Sequence, residues 1–304
     1  MPLQKVLLFY NPHAGHNVFS GQLDTVIQAF QEKDQIVVSL RADRRELLDE
    51  FFEGRDMSEY AKILVAGGDG TVNTMVTAMV KYDLHIPLAI FPAGTANDLA
   101  HYFDLPSTVD EMLTIATGEH YTEMDVGMAN DRCFVNVMAL GVMVDVSQKT
   151  DPVIKNTMGV MAYYLRGVAD MRKLKPIPIT ITSPVRSEDL KMYAMIIMNG
   201  RSAGGFKRAA PEASINDGML DVIIFRKMPI INLAGAVFSV LSGQHTANKN
   251  VLFFRTPELI VESPEDLSTD VDGEAGPGLP LHLSVLRRRL KICTLKDDME
   301  GNEW

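Results

Sequence analysis

The chain reads as an α/β protein, an N-terminal α/β sheet domain followed by a β-rich, sandwich-like second domain. Over residues 1–124, short apolar runs that read as strands alternate with segments of helical period, and three of those runs end in glycine-bearing loops. From about residue 125 the texture changes to strand-like runs, several of them separated by turn clusters. The 304 residues and 46% hydrophobic content are enough for two cores.

The elements follow in order. Lys5 to Tyr10 is the first strand and runs into Asn11-Pro12-His13-Ala14-Gly15. Leu23, Val26, Ile27 and Phe30 share one helical face, with Ser20 a candidate cap, and Ile36 to Leu40 is the next strand. Leu47, Leu48, Phe51 and Phe52 repeat the helical pattern. The run from Ala61 to Ala66 leads into Gly67-Gly68-Asp69-Gly70-Thr71-Val72-Asn73, with a helix expected over Val72 to Lys81. Leu88 to Phe91 leads into Pro92-Ala93-Gly94-Thr95-Ala96-Asn97-Asp98 and a helix capped by Thr95 or Asn97. In residues 125–288, strands are expected at Cys133 to Met138, Ile177 to Thr182, Met192 to Met198, Leu220 to Phe225, Val251 to Phe254, Leu259 to Val261 and Leu281 to Leu286. Helices are expected near Met158 to Arg172 and Ile230 to Leu241.

A strand that ends in Gly67-Gly68-Asp69-Gly70-Thr71 is suited to phosphate. Without Cβ atoms the chain can gather several N–H groups on one anion, and Thr71 and the following helix N-terminus add a hydroxyl and a favourable dipole. Asp69 cannot hold phosphate but can hold magnesium. No Lys-Ser/Thr pair closes the loop, so it is not a Walker A motif. Asn73 stands where a dinucleotide fingerprint has its third glycine. One such loop is equally well a strand-to-helix turn; three on parallel strands converge on one crevice.

Taken in order, Asn11-Pro12-x-Ala14-Gly15, Gly67-Gly68-Asp69-Gly70-Thr71-x-Asn73 and Pro92-x-Gly94-Thr95-x-Asn97-Asp98-Leu99-Ala100 resemble the catalytic domain of the diacylglycerol kinase and sphingosine kinase superfamily. Asn199-Gly200-Arg201-x-Ala203-Gly204-Gly205, Ala210-Pro211-x-Ala213, Asn216-Asp217-Gly218-x-Leu220-Asp221-Val222 and Asp272-Gly273-Glu274 look like second-domain motifs of its bacterial, soluble lipid kinase branch. The Gly-Gly-Asp-Gly-Thr element alone is shared with NAD kinases and phosphofructokinases. The resemblance implies an ATP- and Mg2+-dependent lipid kinase acting on diacylglycerol or a related lipid alcohol. It also implies that the segment 289–304 returns to the first domain and that 125–288 is the lipid-substrate domain. A kinase of a soluble acceptor such as NAD and a non-catalytic nucleotide-binding module remain as alternatives.

Phosphoryl transfer needs a phosphate cradle, a cation and an acceptor oxygen in line. Gly67, Gly68, Gly70 and Thr71 would contact phosphates, with Val72 and Asn73 continuing the motif; Thr95 adds a hydroxyl, and Asn11, Pro12, His13, Ala14 and Gly15 close the pocket. The family places a threonine after the second strand near the nucleotide, and this chain carries Arg41 there. The resemblance points to Glu274 as the base for the lipid hydroxyl, although Asp272-Gly273-Glu274 by itself is a hairpin turn. It also implies a structural magnesium at Asp217, with carbonyl ligands from Ser214 and Met219, and Asp125 linked to it through waters. Asp98 is either catalytic or a helix cap. Asp270 and Asp272 lack the remaining ligand spacing of an EF-hand.

Bulk properties limit the partners. A formal charge of −10 disfavours nucleic acid and, by net charge, anionic lipid. Two cysteines far apart, Cys133 and Cys293, fit a reducing compartment and read as core filler. The N-terminus shows no secretory pattern, and Ile230 to Leu241 is too short to span a bilayer, so a cytoplasmic protein with peripheral, transient membrane contact is expected. Lys207 with Arg208, or Arg287, Arg288, Arg289 and Lys291, are candidates to meet an anionic bilayer, although the second set is also a solvated strand face. His13 and His16 read as exposed. Met138, Met143, Met158, Met161, Met195 and Met198 are either core or an acyl-chain lining. A homodimer is left open.

Overall fold

A computed structural model of the protein describes residues 3–14, 19–42, 44, 46–142, 144, 175–200 and 214–295. The chain divides into two compact units, residues 1–125 with 288–304, and residues 126–287. Expectations for Gly15, His16, Met143, Met158, Met161, the helix over 158–172, residues 201–213 and the tail after Leu295 lie outside the described residues.

In the first unit, strands β1 (Gln4–Tyr10), β2 (Gln35–Arg41), β3 (Tyr60–Gly67) and β4 (Leu88–Pro92) run parallel in the order β2-β1-β3-β4. The final strand, β15 (Leu281–Cys293), joins β4 in parallel at Ile292 and Leu88. Its carboxyl-terminal end belongs to this unit. Helices α1 (Leu23–Gln31), α2 (Glu46–Phe52), α3 (Asp69–Lys81), α4 (Asp98–Tyr102) and α5 (Val109–Ala116) connect the strands. The continuous apolar runs of β1 and β3 are explained by burial, since Val6, Leu7, Leu8, Ile63, Leu64 and Val65 are all fully enclosed. Each such side chain contributes about 1.5–3 kcal/mol relative to exposure.

Two charged residues inside these strands have structural partners. Lys62 is buried and donates from Nζ to the carbonyls of Ala116 and Gly118, both at 2.6 Å, at the end of α5. Arg289 donates to the carbonyls of Met79 at 2.8 Å and Leu84 at 2.9 Å, at the end of α3. Its side chain is 9% exposed, so it is not available to a bilayer.

Three local expectations are corrected. Ser20 lies in a 3-10 turn, Phe19–Gln22, and Gln22 takes the N-cap position of α1 without a side-chain bond. Ile27 is 36% exposed, because the buried face of α1 is narrower, with Val26 and Phe30. Helix α3 begins at Asp69, three residues before Val72, so most of the glycine motif is helix rather than loop.

The second unit is antiparallel. Strand β7 (Val137–Gly141) pairs with β9 (Ser187–Met198) and β13 (Thr269–Val271), and β13 pairs with β14 (Glu274–Ala275). Strand β8 (Ile177–Thr182) pairs with the first half of β9 and with β12 (Glu258–Glu262), which pairs with the start of β15. Strand β10 (Leu220–Arg226) pairs with the second half of β9 and with β11 (Val251–Thr256). Strands β5 (Tyr121–Ala129) and β6 (Arg132–Phe134) form a hairpin through Asn130.

Alternate residues of β9 enter two cores. Met192, Met195 and Ile197 pack with Met138, Ile179, Val222 and Leu283, while Tyr193, Ala194 and Met198 pack with Phe225 and helix α6 (Ile230–Leu241). Met138, Met195 and Met198 are therefore core residues. Cys133 and Cys293 are free and buried, and burial pushes the Cys293 thiol up to about 11, which keeps it protonated and inert.

Candidate active site

In the first unit the chain leaves β1 toward β2 on one side and β3 lies on the other, so the loops after β1 and β3 separate at their carboxyl ends. That is where an open α/β sheet forms a crevice. A cleft of about 790 Å³ occupies it, lined by Asn11, His13, Ala14, Gly68, Gly70, Thr71, Thr74, Gly94 and Thr95, with Phe9, Ala42, Arg44 and Ala93.

The glycines have separate reasons. A Cβ on Gly67 would stand 2.5 Å from Thr71 Cβ, so this position lets Thr71 fold back over the strand end. A Cβ on Gly94 would stand 2.5 Å from Gly68 Cα, so the two loops touch backbone to backbone. A Cβ on Gly70 would meet no protein atom within 4 Å. Glycine there is not demanded by the protein's own packing, and its bare backbone opens onto the cleft.

Helix α3 starts with Gly68 as N-cap, whose carbonyl accepts from Thr71 N at 2.9 Å and Val72 N at 3.1 Å. The first turn of a 13-residue helix therefore points toward the cleft with its dipole positive. Asn11 closes the far side in an Asx turn, its Oδ1 accepting from His13 N at 2.9 Å.

Asp69 accepts from Asn97 N at 2.8 Å and Asp98 N at 2.7 Å, and so caps α4 from another helix. Asn97 takes the N-cap position of α4, one of the two expected, but its side chain makes no cap bond to the helix. Asn97 is left-handed, with φ of 50°, and its side chain ties the loop by accepting from Gly94 N at 2.8 Å and donating to Gly94 O at 2.9 Å. Burial, and then repulsion from Asp98, raise the Asp69 pKa above the ordinary carboxylate value. Each Asp69 oxygen takes one backbone N–H and keeps a further lone pair, the donor chemistry a hard cation takes.

Among the other expected nucleotide residues, Pro12, Gly67 and Val72 are buried behind the cleft, and Asn73 lies on α3 beside Thr77. Arg41 ends β2 opposite Tyr10 and is outside the lining. The guanidinium at the cleft is Arg44, held by two bonds of 2.6 Å to Glu50. The sequence signal was a basic residue after β2; the offset arises because Ala42 N still donates to Tyr10 O, at 2.8 Å, and the chain turns away only afterwards. Thr74, one turn beyond Gly70, was missed because its spacing carries no motif.

The expected catalytic and metal residues of the second unit occupy different places. Glu274 starts β14 after a two-residue turn in which Asp272 and Gly273 have φ of 48° and 89°. Its carboxylate lies 3.6 Å from Arg132 Nη2 and is one-third exposed. Beside it, Asp272 accepts from Val135 N at 2.7 Å, Asn136 N at 3.0 Å and Val137 N at 2.9 Å. This is why the expected strand at Cys133 to Met138 breaks into β6 and β7.

At Asp217, the residues present do not fit magnesium. Its carboxylate accepts from Ser214 N at 3.0 Å and Met219 N at 2.9 Å, and the Arg255 guanidinium lies against Oδ2. Arg255 Nε is also 3.3 Å from Asp221 Oδ1. A cation of the protein already stands between the two carboxylates. In the first unit, Asp125 accepts from Arg288 N at 2.6 Å, where β15 twists through a φ of 48°. No group of three or more metal-binding side chains occurs among the described residues.

Residues 5–129 match the diacylglycerol kinase catalytic domain, and residues 136–294 match the YegS C-terminal NAD kinase beta sandwich-like domain. A diacylglycerol kinase of Staphylococcus haemolyticus is 27% identical over 292 residues, covering 95% of this chain and 88% of its own. A diacylglycerol kinase of Bacillus subtilis is 26% identical over 306 residues, covering 98% of this chain and 99% of its own. The crystal structure of a diacylglycerol kinase from Bacillus anthracis superposes with a TM-score of 0.77 at 23% identity, covering 97% of this chain and 98% of that one, which shows the shared fold. Both domains occur in order along one chain, and this protein belongs to the diacylglycerol kinase family as a lipid kinase.

Proposed function

We propose that the protein transfers the γ-phosphoryl group of ATP, with magnesium, to the hydroxyl of diacylglycerol or a related lipid alcohol. The observation that carries this reading is the cleft at the N-terminus of α3, where Gly70 leaves bare backbone beside Thr71 and Gly94. Such a surface binds phosphate through oriented N–H groups and needs little side-chain charge. It suits a chain whose net charge is −10.

In this reading Gly68, Gly70 and Thr71 hold the phosphate tail, Thr95 adds a hydroxyl, and Asn11 with His13 and Ala14 fixes the opposite wall. Asp69 and Asp98 would hold magnesium, which when bound neutralises charge on the β- and γ-phosphates. Glu274 takes the proton of the lipid hydroxyl as its oxygen bonds to the γ-phosphorus. The bond from that phosphorus to the β–γ bridging oxygen breaks, and ADP leaves. Arg132, 3.6 Å away, orients the Glu274 carboxylate for this step. The protein works in the cytoplasm and meets the bilayer peripherally; among the described residues no helix is long and apolar enough to cross a membrane.

The test is incubation of the protein with ATP, magnesium and a mixed lipid extract, beside a parallel reaction with NAD, and identification of products by mass. A phosphorylated lipid alcohol is expected. Formation of NADP with no lipid product would replace this reading with a soluble-acceptor kinase.

A further inference from the structure

Helix α6 has an unusual composition, Ile-Ile-Asn-Leu-Ala-Gly-Ala-Val-Phe-Ser-Val-Leu, with no charged residue. One side is accounted for by the fold. Leu233, Ala236 and Val240 pack with Tyr193, Phe225 and Val251 in the second core of the unit. The other side is not. Ile231 is 84% exposed and Phe238 65% exposed, the two most exposed large hydrophobic side chains among the described residues. They stand two turns apart, with Gly235 between them, and share one face. Apart from Asn232 the exposed side offers little polar surface, and an uncharged helix of this kind is ordinarily covered.

The surrounding charge says what covers it. From Val222 to Pro257 the chain contains no aspartate or glutamate, although 39 acidic residues are spread over the rest. It does contain Arg226, Lys227, Lys249 and Arg255. Arg226 and Arg255 pair with Glu188 and Asp217. Lys227 precedes α6, and Lys249 lies across from Lys227, next to the Asn250 carbonyl that accepts from Arg226 N at 3.1 Å; both are exposed and make no ion pair among the described residues. An apolar helix face with exposed lysines gathered at its start suits the headgroup–acyl boundary of an anionic bilayer. At about 18 Å, the helix is too short to span and long enough to lie flat.

We propose that α6 docks the enzyme on anionic membrane, with Ile231 and Phe238 entering the acyl boundary and Lys227 and Lys249 at the headgroups. The proposal rests on the lipid-kinase reading for its purpose but is tested separately. The full chain is sedimented with vesicles of mixed phosphatidylglycerol and phosphatidylcholine at rising salt. Salt-weakened binding is expected, with Ile231→Asp and Phe238→Asp each lowering partitioning about ten-fold or more. Phe238→Trp should retain binding, and the emission of the introduced indole should shift to the blue on vesicles. Thermal midpoints of the aspartate variants confirm that they fold. Phosphorylation of a dispersed short-chain diacylglycerol should be equal in the parent and both aspartate variants. Failure of the parent on that substrate would defeat the kinase reading while leaving the vesicle result standing. Parental binding by the aspartate variants, an unshifted emission from Phe238→Trp, no binding by the parent, or a parental dimer that Ile231→Asp dissociates would each overturn the docking proposal.

Discussion

The carboxylate of Asp69, in the first turn of α3, receives the backbone N–H groups of Asn97 and Asp98 and thereby forms the start of α4. One side chain thus ties two of the loops that line the cleft together. Replacing Asp69 with alanine should cost about 0.5–2 kcal/mol as a lost helix cap. It should also lower the transfer rate by about 10²-fold or more through misplacement of the loop. Asp69→Asn, which retains one acceptor, should recover part of the stability and little of the rate. Denaturation and initial-rate measurements on the two variants separate these effects.

Glu274, the proposed base, stands two residues from Asp272, which holds three backbone amides. Glu274→Gln should reduce turnover by about 10²- to 10⁴-fold and leave nucleotide affinity and the melting midpoint nearly unchanged. Asp272→Ala strands three backbone N–H groups, and a loss of about 3 kcal/mol or more is expected. Calorimetry beside titration with a non-hydrolysable nucleotide reads both. Equal destabilisation by the two substitutions would show that Glu274 is structural.

Arg255 stands between Asp217 and Asp221, and the latter side chain is only 2% exposed. Arg255→Gln should destabilise the protein by about 2–3 kcal/mol, under the cost of opening a fully buried pair because the guanidinium is partly solvated. The abandoned carboxylates should then take up a divalent ion. Magnesium is expected to raise the melting midpoint of Arg255→Gln by more than it raises the parent's.

His245 is buried, packs edge-on against Phe253 and has no hydrogen-bond partner on either ring nitrogen among the described residues. Burial lowers its pKa below the ordinary 6.5. Between that value and the depressed one, the unfolded chain binds a proton that the folded chain does not. Stability should therefore fall as pH drops below 6.5, with a limiting slope of about 1.4 kcal/mol per pH unit. Denaturant midpoints at pH 7.5 down to about 5 should show this slope flattened in His245→Phe.

The strands that frame the cleft were legible because continuous apolar runs ending in glycine-bearing loops have few other readings; β3 extends its expected range by one residue at each end and β4 by one at its carboxyl end. Helix α6 coincided with its apolar segment. What could not be read were contacts between residues distant in sequence. Nothing local in Gly-Gly-Asp-Gly-Thr says that its aspartate reaches a helix 28 positions away. Nor does Cys133 to Met138, a good strand by composition, disclose that Asp272 will take three of its amides from 135 to 137 positions downstream. The Asp217 expectation failed to anticipate Arg255 for the same reason. Ion pairs formed by tertiary approach leave no periodicity behind.

The backbone contact between Gly68 and Gly94 has a consequence for binding. Two chains touching without intervening side chains have no rotamers through which to give way, so this part of the cradle is set when the domain folds. A ligand arriving there meets a finished mould, and little of its affinity is consumed in ordering the wall.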